Sequence, residues 1–262
     1  MSNKTIRLGH IDLSFHAASA AVVQRILESY GFDISTRAAP HEKMFEMYGA
    51  NEVDMLVSAW LPASHGGYLA PHKGKTALLG KLYEPYCIWG VPAYIPKSVL
   101  SNVEDLKKPD VLARIDKRIQ GINPGAGISR FSREIVARYT LDTLGYEFHT
   151  GSEEDCFGRF EAGIKREDWF VIPLWHPQFL HHRFKIRELE EPLGLLGGHD
   201  QATLIASNAC VAGLPDKLVN VLKNLRLGNA TVSELDCQIC REGISPLEAA
   251  DQWLNKYPNL KA

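Results

Sequence analysis

The sequence has no apolar run approaching the roughly 20 residues that a membrane-spanning helix needs. It has no basic excess either: 29 Lys and Arg stand against 31 Asp and Glu, a formal net charge of −2. That balance argues against nucleic acid or an anionic membrane surface as a partner. Cysteine is sparse and odd in number, at positions 87, 156, 210, 237 and 240, so no disulfide framework is expected. Cys237-Gln238-Ile239-Cys240 is a lone CxxC within a helical pattern. No second CxxC and no paired-histidine motif follows it to complete a zinc site, so both read as ordinary buried cysteines. Repeats, low-complexity tracts and long linkers are also missing. Met1-Ser2-Asn3-Lys4-Thr5 leads at once into Ile6-Arg7-Leu8 with no apolar h-region, so no signal peptide is expected at this start. Either one was removed, or the protein stays in the cytoplasm.

What remains is an ordinary globular composition. The 262 residues are 45% hydrophobic and 23% charged, enough for one large domain or two lobes. Thr5–Ile11 alternates as a strand, and Asp12–His16 reads as a junction. Ala17–Tyr30 has helical periodicity, with Ala20, Val23, Ile26 and Leu27 on one face and Gly31 as a stop. A strand at Ile34–Arg37, a helix at His41–Tyr48 and a strand at Met55–Ala59 follow. The order β-α-β-α-β predicts a parallel, doubly wound sheet with right-handed crossovers.

The third strand runs into Ser58-Ala59-Trp60-Leu61-Pro62-Ala63-Ser64-His65. Pro62 cannot continue a ladder, so Trp60 sits where a buried strand becomes a loop. In α/β proteins ligands bind at that carboxyl end. A Trp face attracts cations and a His can donate to an anion, a pair that suits a small molecule carrying both charges. A packed core Trp with a surface His is the competing reading of the same residues.

The second half repeats the theme. Tyr83–Pro96 is the most aromatic stretch, broken by Pro92 and Pro96, and reads as a strand passing from one lobe to the other. A new α/β pattern begins at Arg118–Ile122 and meets Asn123-Pro124-Gly125-Ala126-Gly127-Ile128-Ser129-Arg130. A helix is predicted over Phe131–Leu144 with Ser129 as N-cap. Two glycines at a helix start allow an anion nest or, equally, a tight strand–helix turn. The stretch lacks the Lys and Ser/Thr of a P-loop and the third glycine of a dinucleotide fingerprint. Arg130 reads as a solvated helix residue. A helix at Glu153–Lys165 precedes the strand Trp169–Leu174, which ends in Trp175-His176-Pro177-Gln178-Phe179. Both halves therefore place a Trp at the end of a strand, which favours binding over packing for Trp60 and Trp175. His176, His181 and His182 have no carboxylate or Cys at ligand spacing, so no metal is expected. A strand at Gln201–Cys210 and helices at Asp216–Leu225, Val232–Glu242 and Pro246–Tyr257 close the chain, with Ser245-Pro246 as the start of the last.

These stretches resemble the glycine betaine/choline/proline betaine class of ABC-importer substrate-binding proteins, nearly end to end. The resemblance rests on Asn51–Asp54 with Ala59–His65, on Gly121–Ile128, on Trp175–Phe179 and on Glu242–Trp253. It implies an α/β, two-lobed, type II periplasmic-binding-protein-like fold. Its parallel-sheet lobes would be 1–91 with 200–262 and 92–199, joined by a two-strand hinge and closing on the ligand between them. It implies Trp60 and Trp175 as walls of an aromatic cage. A carboxylate would be held by His65 and the backbone N–H groups of Gly127 and Ile128. The third Trp of many members is absent, since Leu13 holds its place, and Phe15 is the candidate substitute. Ala126 replaces an aromatic found in other members, and Gln178 and Phe179 replace a His and a Trp of the family signature. The implied partners are a small zwitterionic or cationic solute and a membrane permease; no cofactor, metal or nucleic acid is implied. The family works outside the cytoplasm, in tension with the start of the chain. A cytoplasmic ligand-sensing module on the same fold is the alternative. An enzyme using Cys156 or Cys87 is disfavoured, because no nucleophile sits in a recognisable elbow.

Overall fold

The computed structural model describes residues 5–262. The expectation drawn from Met1–Lys4 lies outside them. The chain forms two compact units, one holding residues up to Pro85 with Pro177–His182 and Asp200–Ala262, the other holding Tyr86–His176 and Arg183–His199. The strand Tyr86–Pro92 belongs whole to the second unit, so the boundary lies at the Glu84-Pro85 break and not after residue 91. Pro85 ends the preceding strand because it has no N–H to offer a ladder.

The first unit is built on a five-stranded sheet in the order Asp33–Ala39, Thr5–Ile11, Met55–Leu61, Gln201–Ser207, Thr76–Tyr83. The first three strands are parallel, as their connecting helices require. Gln201–Ser207 runs antiparallel to both neighbours, so the sheet is mixed and not parallel throughout. That strand returns from the second unit without a crossover helix, so nothing forces it to run parallel. Arg7 ties the first and third strands. Its Nε and Nη2 donate to the two Asp54 carboxylate oxygens at 2.9 and 2.5 Å, and its backbone N–H donates to Oδ2 at 2.9 Å.

The helix Ser14–Ser29 buries Ala20, Val23, Ile26 and Leu27 as its periodicity predicts. It begins three residues earlier than expected, so Ser14, Phe15 and His16 form its first turn and not a junction. Asp12–His16 contains no Pro or Gly to delay the start. Helices Asp216–Asn224, Asn229–Arg241 and Pro246–Leu254 complete the unit. Ser245 caps the last, its Oγ accepting from the Glu248 N–H at 3.2 Å, with Pro246 in the first turn as expected. The helix Asp216–Asn224 packs so closely on the edge strand that a Cβ on Gly80 would lie 2.3 Å from the Leu222 carbonyl oxygen.

The second unit centres on an antiparallel sheet of Ile172–His176, Tyr86–Pro92 and Ile186–Glu188. Two short parallel pairs accompany it: Ile115–Asp116 with Trp169–Phe170, and Arg118–Gln120 with Glu147–His149. The helix Glu153–Arg166 opens with a capping box between Ser152 and Asp155. Trp89 is fully buried in this unit, its indole N–H donating to Ser132 Oγ at 2.9 Å. It is part of the core of this unit. Among the described residues no helix is long and apolar enough to cross a membrane.

Candidate functional site

Trp60 lies at the carboxyl end of the strand Met55–Leu61, where the sequence placed it. The strand is deformed just before it. Leu56 pairs with Ile205 and Ala59 with Thr203, so Val57 and Ser58 together oppose Leu204 alone. This is a β-bulge, and Ser58 pays for it with a left-handed φ of +66°. The fully buried Ser58 hydroxyl bonds the Tyr83 hydroxyl, and the Trp60 indole N–H donates to Ser58 Oγ at 3.2 Å and to Tyr83 Oη at 3.1 Å. The edge of the indole is thus fixed by protein groups. Its ring stacks with His65 at a centroid distance of 6.2 Å.

His65 is fixed by the same turn. The Trp60 N–H donates to His65 Nδ1 at 2.9 Å, and the His65 N–H donates back to the Trp60 carbonyl at 2.8 Å. An Nδ1 that accepts carries no hydrogen, so the neutral ring is the Nε2–H tautomer. His65 is 1% exposed and is therefore no surface histidine. Asp200 holds the loop between the two rings, its carboxylate accepting from the N–H groups of Ala63 at 2.7 Å and Ser64 at 2.9 Å. Phe15 is buried, with its ring centroid 5.5 Å from that of Trp60, so the candidate third aromatic does stand beside the first. His16 lies 5.7 Å from Trp60 and 6.2 Å from His65, and Tyr83 meets Trp60 edge-on at 6.4 Å.

Sequence reasoning missed four of these groups. Asp200 is 136 and 137 residues from the two loop residues it holds, and Tyr83 reaches Trp60 across a neighbouring strand. Ser58 signals its bulge only through the pairing opposite. His16 was hidden by the late helix start, and its place one residue after Phe15 was the available clue.

In the second unit, Gly127 and Ile128 are buried and open the helix Gly127–Arg138. The helix starts before Ser129, with Ala126 as N-cap, and the Ser129 hydroxyl donates to the Ile122 carbonyl at 3.1 Å. Ser129 is therefore not the cap. The turn Asn123–Ala126, closed by the Ala126 N–H on the Asn123 carbonyl at 3.2 Å, already provides the entry. Neither Gly125 nor Gly127 takes a left-handed φ, so the feature is a helix start and not an alternating nest. First-turn N–H groups have no carbonyl inside the helix, which leaves those of Gly127 and Ile128 as donors at its positive end. Arg130 is half-buried and not simply a solvated helix residue: its guanidinium donates to the Gly125 carbonyl and braces the turn. Trp175 is 1% exposed at the end of its strand, with Phe157 at 6.0 Å. His176 stacks on Tyr86 at 4.6 Å, which places it in a ring pair.

The remaining candidates for chemistry are poorly placed for it. Cys156 is fully buried, its thiol pushed up by burial and then by Glu153 and Asp155, and its Sγ donates to the Pro173 carbonyl at 3.7 Å. A thiol so raised is a poor nucleophile. Cys240 donates to Asp236 Oδ1 at 3.5 Å in the helix that carries the CxxC. Among the described residues no group of three or more His, Cys, Asp or Glu side chains is arranged to hold a metal.

The α/β fold is that of the type II periplasmic-binding-protein class. The fold is similar to that of lactococcal OpuAC in its closed-liganded conformation complexed with glycine betaine, with a TM-score of 0.85, 23% identity and 98% of each chain covered. It is also similar to the glycine/betaine/L-proline-binding protein ProX from Borrelia burgdorferi, with a TM-score of 0.86, 22% identity and 98% and 95% of the two chains covered. An ABC-transporter choline-binding protein in complex with choline gives a TM-score of 0.83 at 20% identity, covering 97% and 89%.

The chain belongs to the family described as the substrate-binding domain of the ABC-type glycine betaine transport system, whose model matches residues 4–256. That family is one of substrate-binding proteins and not of enzymes. The chain is 24% identical over 155 residues to the glycine betaine/carnitine transport binding protein GbuC of Listeria monocytogenes. That match takes in 59% of this chain and 51% of GbuC, so it spans about half the length of the curated relative.

Proposed function

We propose that the protein binds a betaine-like quaternary ammonium solute and hands it to the membrane permease of an ABC importer. The observation that carries this reading is the Trp60–His65 turn. Two reciprocal hydrogen bonds lock an indole to an imidazole whose remaining ring hydrogen is on Nε2. A quaternary ammonium has no N–H to donate, so π faces and dispersion hold it best, at about 0.5–2 kcal/mol per ring. Trp60 and Phe15 are the proposed walls in the first unit, and Trp175 is the wall in the second. The solute's carboxylate would take hydrogen bonds from His65 and from the backbone of Gly127 and Ile128, where the helix dipole favours negative charge.

The test is titration of the purified protein with glycine betaine, choline, carnitine and a sulfonium analogue, followed by Trp fluorescence and calorimetry. Saturable binding of at least one is expected. Trp60→Leu keeps apolar volume but removes the π face, and it should weaken that ligand by at least about 1 kcal/mol, roughly fivefold. Unchanged affinity in a folded variant would remove Trp60 from the site.

A further inference from the structure

His16 is a buried polar side chain beside the Trp60–His65 turn that the turn does not use. It is 1% exposed, and its Nδ1 has no hydrogen-bond partner in the protein. A polar atom buried in that way is held against a desolvation cost, and one explanation for keeping it is a ligand that completes it. Its position fits that explanation. The ring lies 4.4 Å from Phe15, 5.7 Å from Trp60 and 6.2 Å from His65, within the aromatic cluster of the proposed cage.

We propose that His16 is a further ligand-binding group, with its Nδ1–H donated to the carboxylate of a betaine-like solute whose ammonium lies against Trp60. The inference rests on the proposed function and sharpens it, because it selects carboxylates over hydroxyls. With its hydrogen on Nδ1, His16 would stand 6.2 Å from the ring of His65, a pair that suits an acceptor with two oxygens and several lone pairs. A hydroxyl can accept from both, but its own hydrogen is then left unpaired, and it lacks the charge that strengthens each bond to a carboxylate. Burial, followed by the neighbouring His65, His41 and His10, holds His16 well below its ordinary pKa, so the ring is neutral near pH 7. A neutral ring brings no positive charge against the ammonium.

The experiment compares glycine betaine with choline, which keeps the trimethylammonium but ends in a hydroxyl. Both are titrated into the wild type, His16→Phe and His16→Asn. His16→Phe should lose at least tenfold in glycine betaine affinity and stay within threefold for choline. His16→Asn, whose amide sits near the position of Nδ1, should recover most of the loss. Equal losses for both ligands, no loss for either, or an Asn variant as impaired as the Phe variant would overturn the assignment. A wild type that binds choline but not glycine betaine would overturn it and leave the cage reading standing. A wild type that binds neither would remove both. In the wild type itself, the ¹⁵N resonance of His16 Nδ1 should move on adding glycine betaine and not on adding choline; an unmoved resonance also overturns the proposal.

Discussion

His16 makes folding stability depend on pH in a way that can be measured without any ligand. Burial is the main reason its imidazole titrates well below the ordinary 6.5. In the unfolded chain the ring takes up a proton as pH falls through about 6.5, whereas the folded protein leaves it neutral. A depressed folded pKa therefore contributes stability above about pH 6.5, and that contribution is lost progressively as pH falls. With an unfolded value of about 6.5 and a folded ring that stays neutral, the loss between about pH 7.5 and pH 5.5 is RT times the logarithm of about ten, or about 1.4 kcal/mol. His10 is also shifted down, chiefly by burial, and adds a loss of the same sign. The assay is urea unfolding at both pH values for the ligand-free wild type and His16→Phe. Because His10 and the carboxylates are common to both proteins, the difference between them isolates His16. The wild type should lose about 1.4 kcal/mol more than the variant over that interval. Equal pH dependence in the two proteins would show that His16 is protonated as easily in the folded state as out of it.

Two further outcomes follow from the same geometry. Asp200→Ala removes the acceptor of two loop N–H groups, so it should cost about 1–3 kcal/mol of stability and also weaken ligand binding, because the Trp60–His65 turn loses its brace. Urea unfolding combined with a ligand titration checks this, and a destabilised protein of unchanged affinity would separate the loop from the site. Cys156→Ser should leave ligand affinity unchanged, and in the native wild type an aromatic disulfide reagent should modify the part-exposed Cys210 and Cys240 well before the buried Cys156. Fast native labelling of Cys156 would contradict its burial.

Local periodicity carried most of the fold. The helix over Ser14–Ser29 was legible because its apolar residues recur every three to four positions, and the last helix because Ser-Pro is a start signal. Periodicity does not state strand direction. Gln201–Ser207 looks like any buried strand in sequence, and only its partners show that it runs against the other strands of the sheet. The misplaced start of Gly127–Arg138 has a similar cause. Ser129 is a favoured N-cap residue, but a turn ending at Ala126 had already satisfied the chain, and the hydroxyl went to Ile122 instead.

The site divides along the same line. Trp60 and His65 could be singled out because a proline ends the strand just after Trp60 and His65 follows within the next few residues. What makes them a unit could not, since each supporting group comes from elsewhere. Asp200 arrives on the returning chain, Tyr83 from another strand, and Ser58 acts through a bulge defined by the strand opposite. A binding ring is conspicuous in sequence because its chemistry is unusual. The groups that aim it are ordinary residues, and only their distances mark them out. His16 falls between these cases. It carries distinctive chemistry, yet the assumed junction at Asp12–His16 left it without a defined direction. Once those residues form a helical turn, Phe15 and His16 are both set beside Trp60. The cage and the group proposed to select the carboxylate therefore depend on a single local feature, the start of the first helix.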